Sequence, residues 1–136
     1  MKLKIITQEK VVFDDEVDAV YSKGLDGEFG LLKGHIPMMS ALDIGVTRAI
    51  IGDKVKMFTT MGGILQFKDE ECLILTTLAE PGEEIDEARA REALEHARAR
   101  LRNAEARIDA KRAEAAIARA EARLKARLSG ETNLKM

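Results

Sequence analysis

Tryptophan is missing from this chain, tyrosine and cysteine each occur once, and there are two histidines. So few aromatic and ligating residues leave little material for a stacking platform for nucleic-acid bases or a His/Cys metal centre. The single cysteine, Cys72, lies in the apolar run Cys72-Leu73-Ile74-Leu75. It excludes an internal disulfide, fits a reducing compartment, and reads as strand core. Apolar runs are only a few residues long, which excludes a membrane-spanning helix, and the N-terminus carries no signal-peptide pattern. The expectation is a protein that is soluble by itself. No Gly-x-x-x-x-Gly-Lys-Ser/Thr stretch occurs, which argues against a P-loop hydrolase.

Glycine is also absent from one long stretch, between Gly82 and Gly130, and this marks the main division of the chain. Residues 1–84 hold nine Lys/Arg and fifteen Asp/Glu, whereas residues 85–128 hold twelve and eight. A near-neutral total therefore hides an acidic body joined to a basic arm. The expected class is α+β: a β-sandwich over residues 1–84 and a helical arm over residues 85–136.

Within the body, residues 2–7 alternate and then run apolar, as an edge or half-buried strand does. Val11 to Phe13, Val17 to Tyr21 and Phe29 to Leu32 are further short strand candidates. Gly45 to Ile51, Val55 to Thr60, Gly63 to Phe67 and Cys72 to Thr77 are four more. Turn signals at intervals of about eight to twelve residues are those of a sandwich. Ile51-Gly52-Asp53-Lys54 and Lys68-Asp69-Glu70-Glu71 read as hairpin turns. Between Gly24 and Gly34 four glycines fall within eleven positions, which points to backbone at positive φ or in close approach to a neighbour.

From Asp86 the composition changes to Ala, Glu and Arg. Asp86 is placed to cap a helix whose first turn carries Glu87. Large apolar residues recur at Leu94, Leu101 and Ile108, then at Ile117, Leu124 and Leu128. The step from Ile108 to Ile117 has two residues more than a heptad, turning the apolar face by about 200° at ~100° per residue. One straight helix cannot keep both seams on one partner. A break over residues 103–109 would let two antiparallel helices face each other. That interface would be mostly alanine and would open at low cost. As one rod, residues 85–128 would instead reach about 66 Å at ~1.5 Å per residue.

Three stretches just described, Gly27-Glu28-Phe29-Gly30-Leu31-Leu32-Lys33-Gly34-His35-Ile36-Pro37, the pair Gly62-Gly63, and Ile85-Asp86-Glu87-Ala88-Arg89-Ala90, occur in an order and spacing that resemble the epsilon subunits of bacterial F-type ATP synthases. The resemblance covers residues 3 to 128. It implies a flattened antiparallel sandwich of about ten strands followed by a two-helix hairpin that can extend. It also implies a noncatalytic rotor subunit of a proton-translocating complex, bound to the gamma subunit and the c-ring at the cytoplasmic face of the bacterial membrane. Membrane association would come only through that complex. The helices of such subunits can rise into the catalytic head and block ATP hydrolysis, and in some members they bind ATP when folded down.

Carried over position by position, Glu80, Ile85, Asp86, Arg89 and Ala90 match contacts on the adenine, ribose and hinge side of the ATP-binding members, and Arg119 and Arg123 match phosphate-facing arginines. His96 stands where those members carry an arginine, a departure that bears on affinity. By the same resemblance Glu28, His35, Ile36, Pro37, Met38 and Met39 face the c-ring or gamma. The basic residues Arg107, Lys111, Arg112, Arg119, Arg123, Lys125 and Arg127 would meet catalytic beta subunits when the arm extends. No cofactor is required and no metal site is expected; ATP, with Mg as its counterion, enters as a regulatory ligand.

Each assignment has a plainer alternative from the residues alone. Asp86 and Arg89 share a helix face at an N-terminus, which favours oxyanions, yet a capping Asp beside an ordinary Arg has the same spacing. The basic run can be a solvated helix face, and nucleic-acid binding is disfavoured by the acidic pI. Glu28 and His35 have no nucleophile or carboxylate partner at a recognisable spacing, so no acid/base catalysis is read there. Two other functional classes remain open: a free-standing ATP-sensing module, and a protein that dimerises through its arm.

Overall fold

The computed structural model describes residues 1–129. The last part of the expected arm, residues 130–136, lies outside the described residues. Eight strands come first: β1 (Lys2–Ile6), β2 (Val11–Glu16), β3 (Ala19–Gly24), β4 (Gly27–Leu32), β5 (Met38–Ile51), β6 (Lys54–Lys68), β7 (Glu71–Leu75) and β8 (Ala79–Pro81). A 3₁₀ turn over Gly82–Glu84 leads into helices α1 (Glu87–Arg102) and α2 (Arg107–Ser129).

The strands are ordered β2-β1-β7-β6-β5-β3-β4, with β8 pairing β6 beside β7. Leu3, Ile5 and Ile74 near one end of that order share a core with Val20 and Leu31 at the other. They can meet only because the sheet folds over on itself, which makes it a sandwich. The fold occurs along β5 and β6. Gly62 and Gly63 interrupt β6 with φ of +78° and +115°, and a Cβ on Gly63 would collide with the carbonyl oxygen of Leu75. The expected strands Val55 to Thr60 and Gly63 to Phe67 are thus one bent strand. Counting it once, and β5 once, gives eight strands among the described residues where about ten were expected.

The alternation in β1 buries Leu3 and Ile5, as expected, but β1 is flanked on both sides and is not an edge. Its pairing with β7 is parallel, the exception in an otherwise antiparallel sheet. A parallel pair needs a long crossover, which β2 to β6 supply. Both expected hairpin turns are present. Ile51 pairs with Lys54 around Gly52 at φ +62°, and Lys68 with Glu71 around Asp69 and Glu70 at +53° and +59°.

The helices lie on the outer face of β5 and β6. A second cluster joins Val46 and Met57 of the sheet to Ile85, Ala90, Ala122 and Ala126, with Ile44, Val55 and Leu124 packed around it. The chain breaks between Arg102 and Arg107, inside the expected 103–109 interval, and the helices are folded down as a hairpin. The buried helical positions are Ala90, Leu94, Ala97, Ala113, Ala120, Ala122 and Ala126. Of the six large apolar residues only Leu94 is buried; Ile108 is 59% and Leu128 45% exposed. The seam is therefore made of small residues. Alanine lets helix axes approach closely, and it loses little side-chain entropy on burial.

Candidate functional site

The last strand and the two helices converge on one pocket. Glu80 in β8 is fixed by the strand beside it: its backbone N–H donates to Thr59 Oγ1 at 3.0 Å, and that hydroxyl donates to Glu80 Oε1 at 3.2 Å. Arg123 Nε of α2 donates to the same oxygen at 2.8 Å. Oε2 is left as the acceptor available to a ligand. Both side chains are about 70% buried, so the pair is screened less than a surface ion pair.

Next along the chain, Gly82 lets α2 come into contact with the 3₁₀ turn. A Cβ there would overlap the carbonyl oxygen of Ala126. Arg127 Nη1 donates to the Glu83 carbonyl at 2.8 Å and ties the same two elements. Ile85 is buried in the helix–sheet cluster, so it anchors the entry to α1. Asp86 then adopts the extended backbone of an N-cap, with its Oδ1 accepting from the Arg89 N–H at 3.1 Å. The link between Asp86 and Arg89 runs through that backbone N–H, leaving the Arg89 guanidinium exposed beside it.

The resulting pocket has a volume of about 450 Å³, within the range typical of small-ligand sites. Glu80, Ile85, Asp86, Arg89, Ala90 and Arg123 from the sequence reading all line it, together with Glu84 and Ala93. Arg119, one turn before Arg123, is half-buried and does not line it. His96 lines a separate groove at the hairpin tip, with Arg100, Asn103 and Asp109. The pocket wall thus carries three carboxylates and two guanidinium groups. Carboxylates suit donors such as an exocyclic amine or ribose hydroxyls, and guanidinium groups suit phosphate oxygens. A polyphosphate there would meet only two fixed cations, and a divalent counterion would complement them.

The second candidate region is the glycine-rich segment. Ile36 and Met39 are 74% and 67% exposed, whereas Met38 is half-buried against the main core. His35 is exposed, with Nδ1 2.6 Å from the Ile36 carbonyl and its ring edge-on to Phe67 at 5.9 Å. Pro37 is exposed as well. Glu28 faces the arm, 3.7 Å from Lys125 Nζ.

The basic face of α2 is divided. Arg107, Lys111 and Arg112 near the hairpin tip are exposed. Arg123, Lys125 and Arg127 instead meet Glu80, Glu28 and the Glu83 carbonyl of the body. The charge difference between arm and body is expressed as contacts that hold the arm down.

Sequence reasoning missed Thr59, Gly82, Glu84 and Ala93. Gly82 marked the division between body and arm but gave no sign of a helix carbonyl against it. Ala93 falls at helical spacing from Ala90, which could have indicated it; Thr59 and Glu84 had no local signal. Cys72 is fully buried, and burial pushes its thiol up to about 12, in keeping with a core role.

Comparison with known proteins adds the following. Residues 1–82 match the model of the ATP synthase delta/epsilon chain beta-sandwich domain, and residues 83–127 that of the long alpha-helix domain of the same chain. The chain is 44% identical over 101 residues to an ATP synthase epsilon chain of Carboxydothermus hydrogenoformans, covering 74% of this chain and 75% of the relative. It is 42% identical over 125 residues to one from Syntrophobacter fumaroxidans, covering 92% and 93%. Among solved structures it superposes on a chain of the Euglena gracilis mitochondrial ATP synthase, in the OSCP/F1/c-ring assembly, with a TM-score of 0.80 at 29% identity over 93% of this chain and 79% of that one. A chain from the central stalk and c-ring of the Tetrahymena thermophila enzyme matches at TM-score 0.62 and 12% identity, over 93% and 95%, a likeness of fold alone. No helix among the described residues is long and apolar enough to cross a membrane.

Proposed function

This chain belongs to the family of ATP synthase delta/epsilon chains, and on that premise we propose that it is the noncatalytic epsilon subunit in the central stalk of a bacterial, proton-translocating F-type ATP synthase, with an arm that restrains ATP hydrolysis when it leaves the body. In this reading the body binds gamma and the c-ring through the glycine-rich segment, at the cytoplasmic face of the membrane. The extended arm brings its basic face to the catalytic beta subunits.

The observation that carries the regulatory part is the construction of the pocket. Its wall takes Glu80 from the body, Asp86 from the cap of α1, Arg89 and Ala90 from α1 itself, and Arg123 from α2. An occupant bridging all three elements binds the folded arm and not the extended one. ATP with Mg suits the mixture of carboxylates and arginines. At one hundred times its dissociation constant it would add ~2.7 kcal/mol to the folded state. An alanine-rich interface is one whose population such a bias can decide. High ATP then holds the arm down and low ATP releases it to inhibit.

The test is ATP hydrolysis by an epsilon-depleted synthase to which the full chain is returned, at micromolar and at millimolar ATP. Inhibition that is strong at the low concentration and relieved at the high one is expected. Equal inhibition at both would remove the nucleotide from the proposal while keeping the subunit. Failure to bind the stalk at all would move the reading to a free-standing nucleotide sensor.

A further inference from the structure

The turn between β6 and β7 is an unusual choice of residues. Asp69 and Glu70 both sit in the left-handed region, at φ +53° and +59°, where Asn-Gly or Asp-Gly is the common pair. A glutamate at the second position is disfavoured by its Cβ. The side chain it brings has a distant partner: Glu70 Oε1 accepts from the backbone N–H of Gly34 at 2.8 Å, across 36 residues. Its carbonyl oxygen accepts from the Lys2 N–H at 3.0 Å, so the turn is itself tied to the first strand.

Gly34 stands in the 33–37 loop, at φ +82°, and the His35 N–H that follows donates to the Leu32 carbonyl at 3.1 Å. The neighbouring Ile36 and Met39 are among the most exposed large apolar residues of the chain. A loop that offers apolar side chains to a partner binds best when its backbone is already ordered.

We propose that Glu70 is a positioning residue for partner binding: its carboxylate, carried on a left-handed turn, holds the Gly34 N–H and so presets the loop bearing His35 and Ile36. This rests on the reading of that loop as a contact with gamma or the c-ring. Glu70 touches no partner in this account and acts through Gly34.

The substitution Glu70→Gly separates this role from a structural one, because glycine suits the turn while it removes the carboxylate. With the full chain, the Glu70→Gly variant should melt no lower than the unaltered protein. Its Gly34 amide should exchange faster, and its affinity for epsilon-depleted synthase should fall roughly three- to tenfold, the effect of one exposed hydrogen bond to a charged group. Glu70→Gln keeps an acceptor oxygen and should recover most of the binding. Unchanged affinity in Glu70→Gly overturns the proposal, and so does weaker binding accompanied by a lower melting temperature. If the unaltered chain fails to bind, the partner reading falls and the proposal with it. The Gly34 exchange rates then still report whether Glu70 holds the loop.

Discussion

Arg123 of the last helix and Glu80 of the last strand are joined by a 2.8 Å hydrogen bond between charged groups, and Thr59 backs the same carboxylate oxygen. The pair links arm to body at the edge of the pocket. Removing Arg123 as alanine should shift the arm toward the undocked state by about 1 kcal/mol, the value for a partly screened charged hydrogen bond. Glu80→Ala should do the same, and the double variant should do no more than either. Limited proteolysis between β8 and α1, or a distance label on body and α2, reads the shift.

Gly82 makes a second, steric test. Glycine is needed there because the Ala126 carbonyl occupies the space of a Cβ. Gly82→Ala should cost ~1–3 kcal/mol of arm docking, as overpacking does, and leave the strands intact. Faster amide exchange confined to α1 and α2 is the expected signature. Exchange that quickens across the sheet would contradict it.

At Asp86 the capping and ligand roles can be separated. Asparagine caps as well as aspartate, so Asp86→Asn should keep the helix start while it removes a charge from the pocket; Asp86→Ala should also lose ~1 kcal/mol of helix stability. A nucleotide contact through the carboxylate predicts weaker ATP binding in both variants by titration calorimetry. Weaker binding in the alanine variant alone would reduce Asp86 to a cap.

His96 lies one helical turn beyond Ala93 of the pocket wall, toward the hairpin tip. An arginine there can reach along the groove to a phosphate chain. His96→Arg is expected to tighten ATP binding about tenfold, ~1.4 kcal/mol, as one added charge-assisted hydrogen bond does. Unchanged affinity would separate the groove from the nucleotide site.

Cys72 provides a pH test. Its thiol rises from an ordinary 9.0 to about 12 because burial disfavours the thiolate. The unfolded chain therefore loses this proton first. Stability is unaffected below pH ~9 and falls above it by at most ~1.4 kcal/mol per unit until about 12. Aromatic disulfide reagents should leave the folded chain unlabelled at pH 8 and react only on unfolding.

Several features were legible because local chemistry specifies them. Both hairpin turns and the Asp86 cap follow from turn residues and capping chemistry. The break after Arg102 falls in the expected interval, but the nine-residue step from Ile108 to Ile117 that suggested it lies within the unbroken α2. The strand Met38 to Ile44 was not legible. It precedes Gly45 without alternation and is strand because it continues β5 against β6. The mostly alanine interface was legible, but the large apolar residues were a poor guide to which face is buried: Ile108 and Leu128 stand out by size and are exposed.

The amino-acid sequence by itself determined most of the elements, the division into acidic body and basic arm, and the residue types available to a nucleotide site, since periodicity, turn chemistry and charge are read along the chain. Only the tertiary structure decided that Thr59, Glu80 and Arg123 meet, that Gly82 receives the Ala126 carbonyl, and that Glu28 faces Lys125. An arm of near-uniform alanine and arginine has several faces of similar composition. Which one docks is chosen by the shape and charge of the body it lies against.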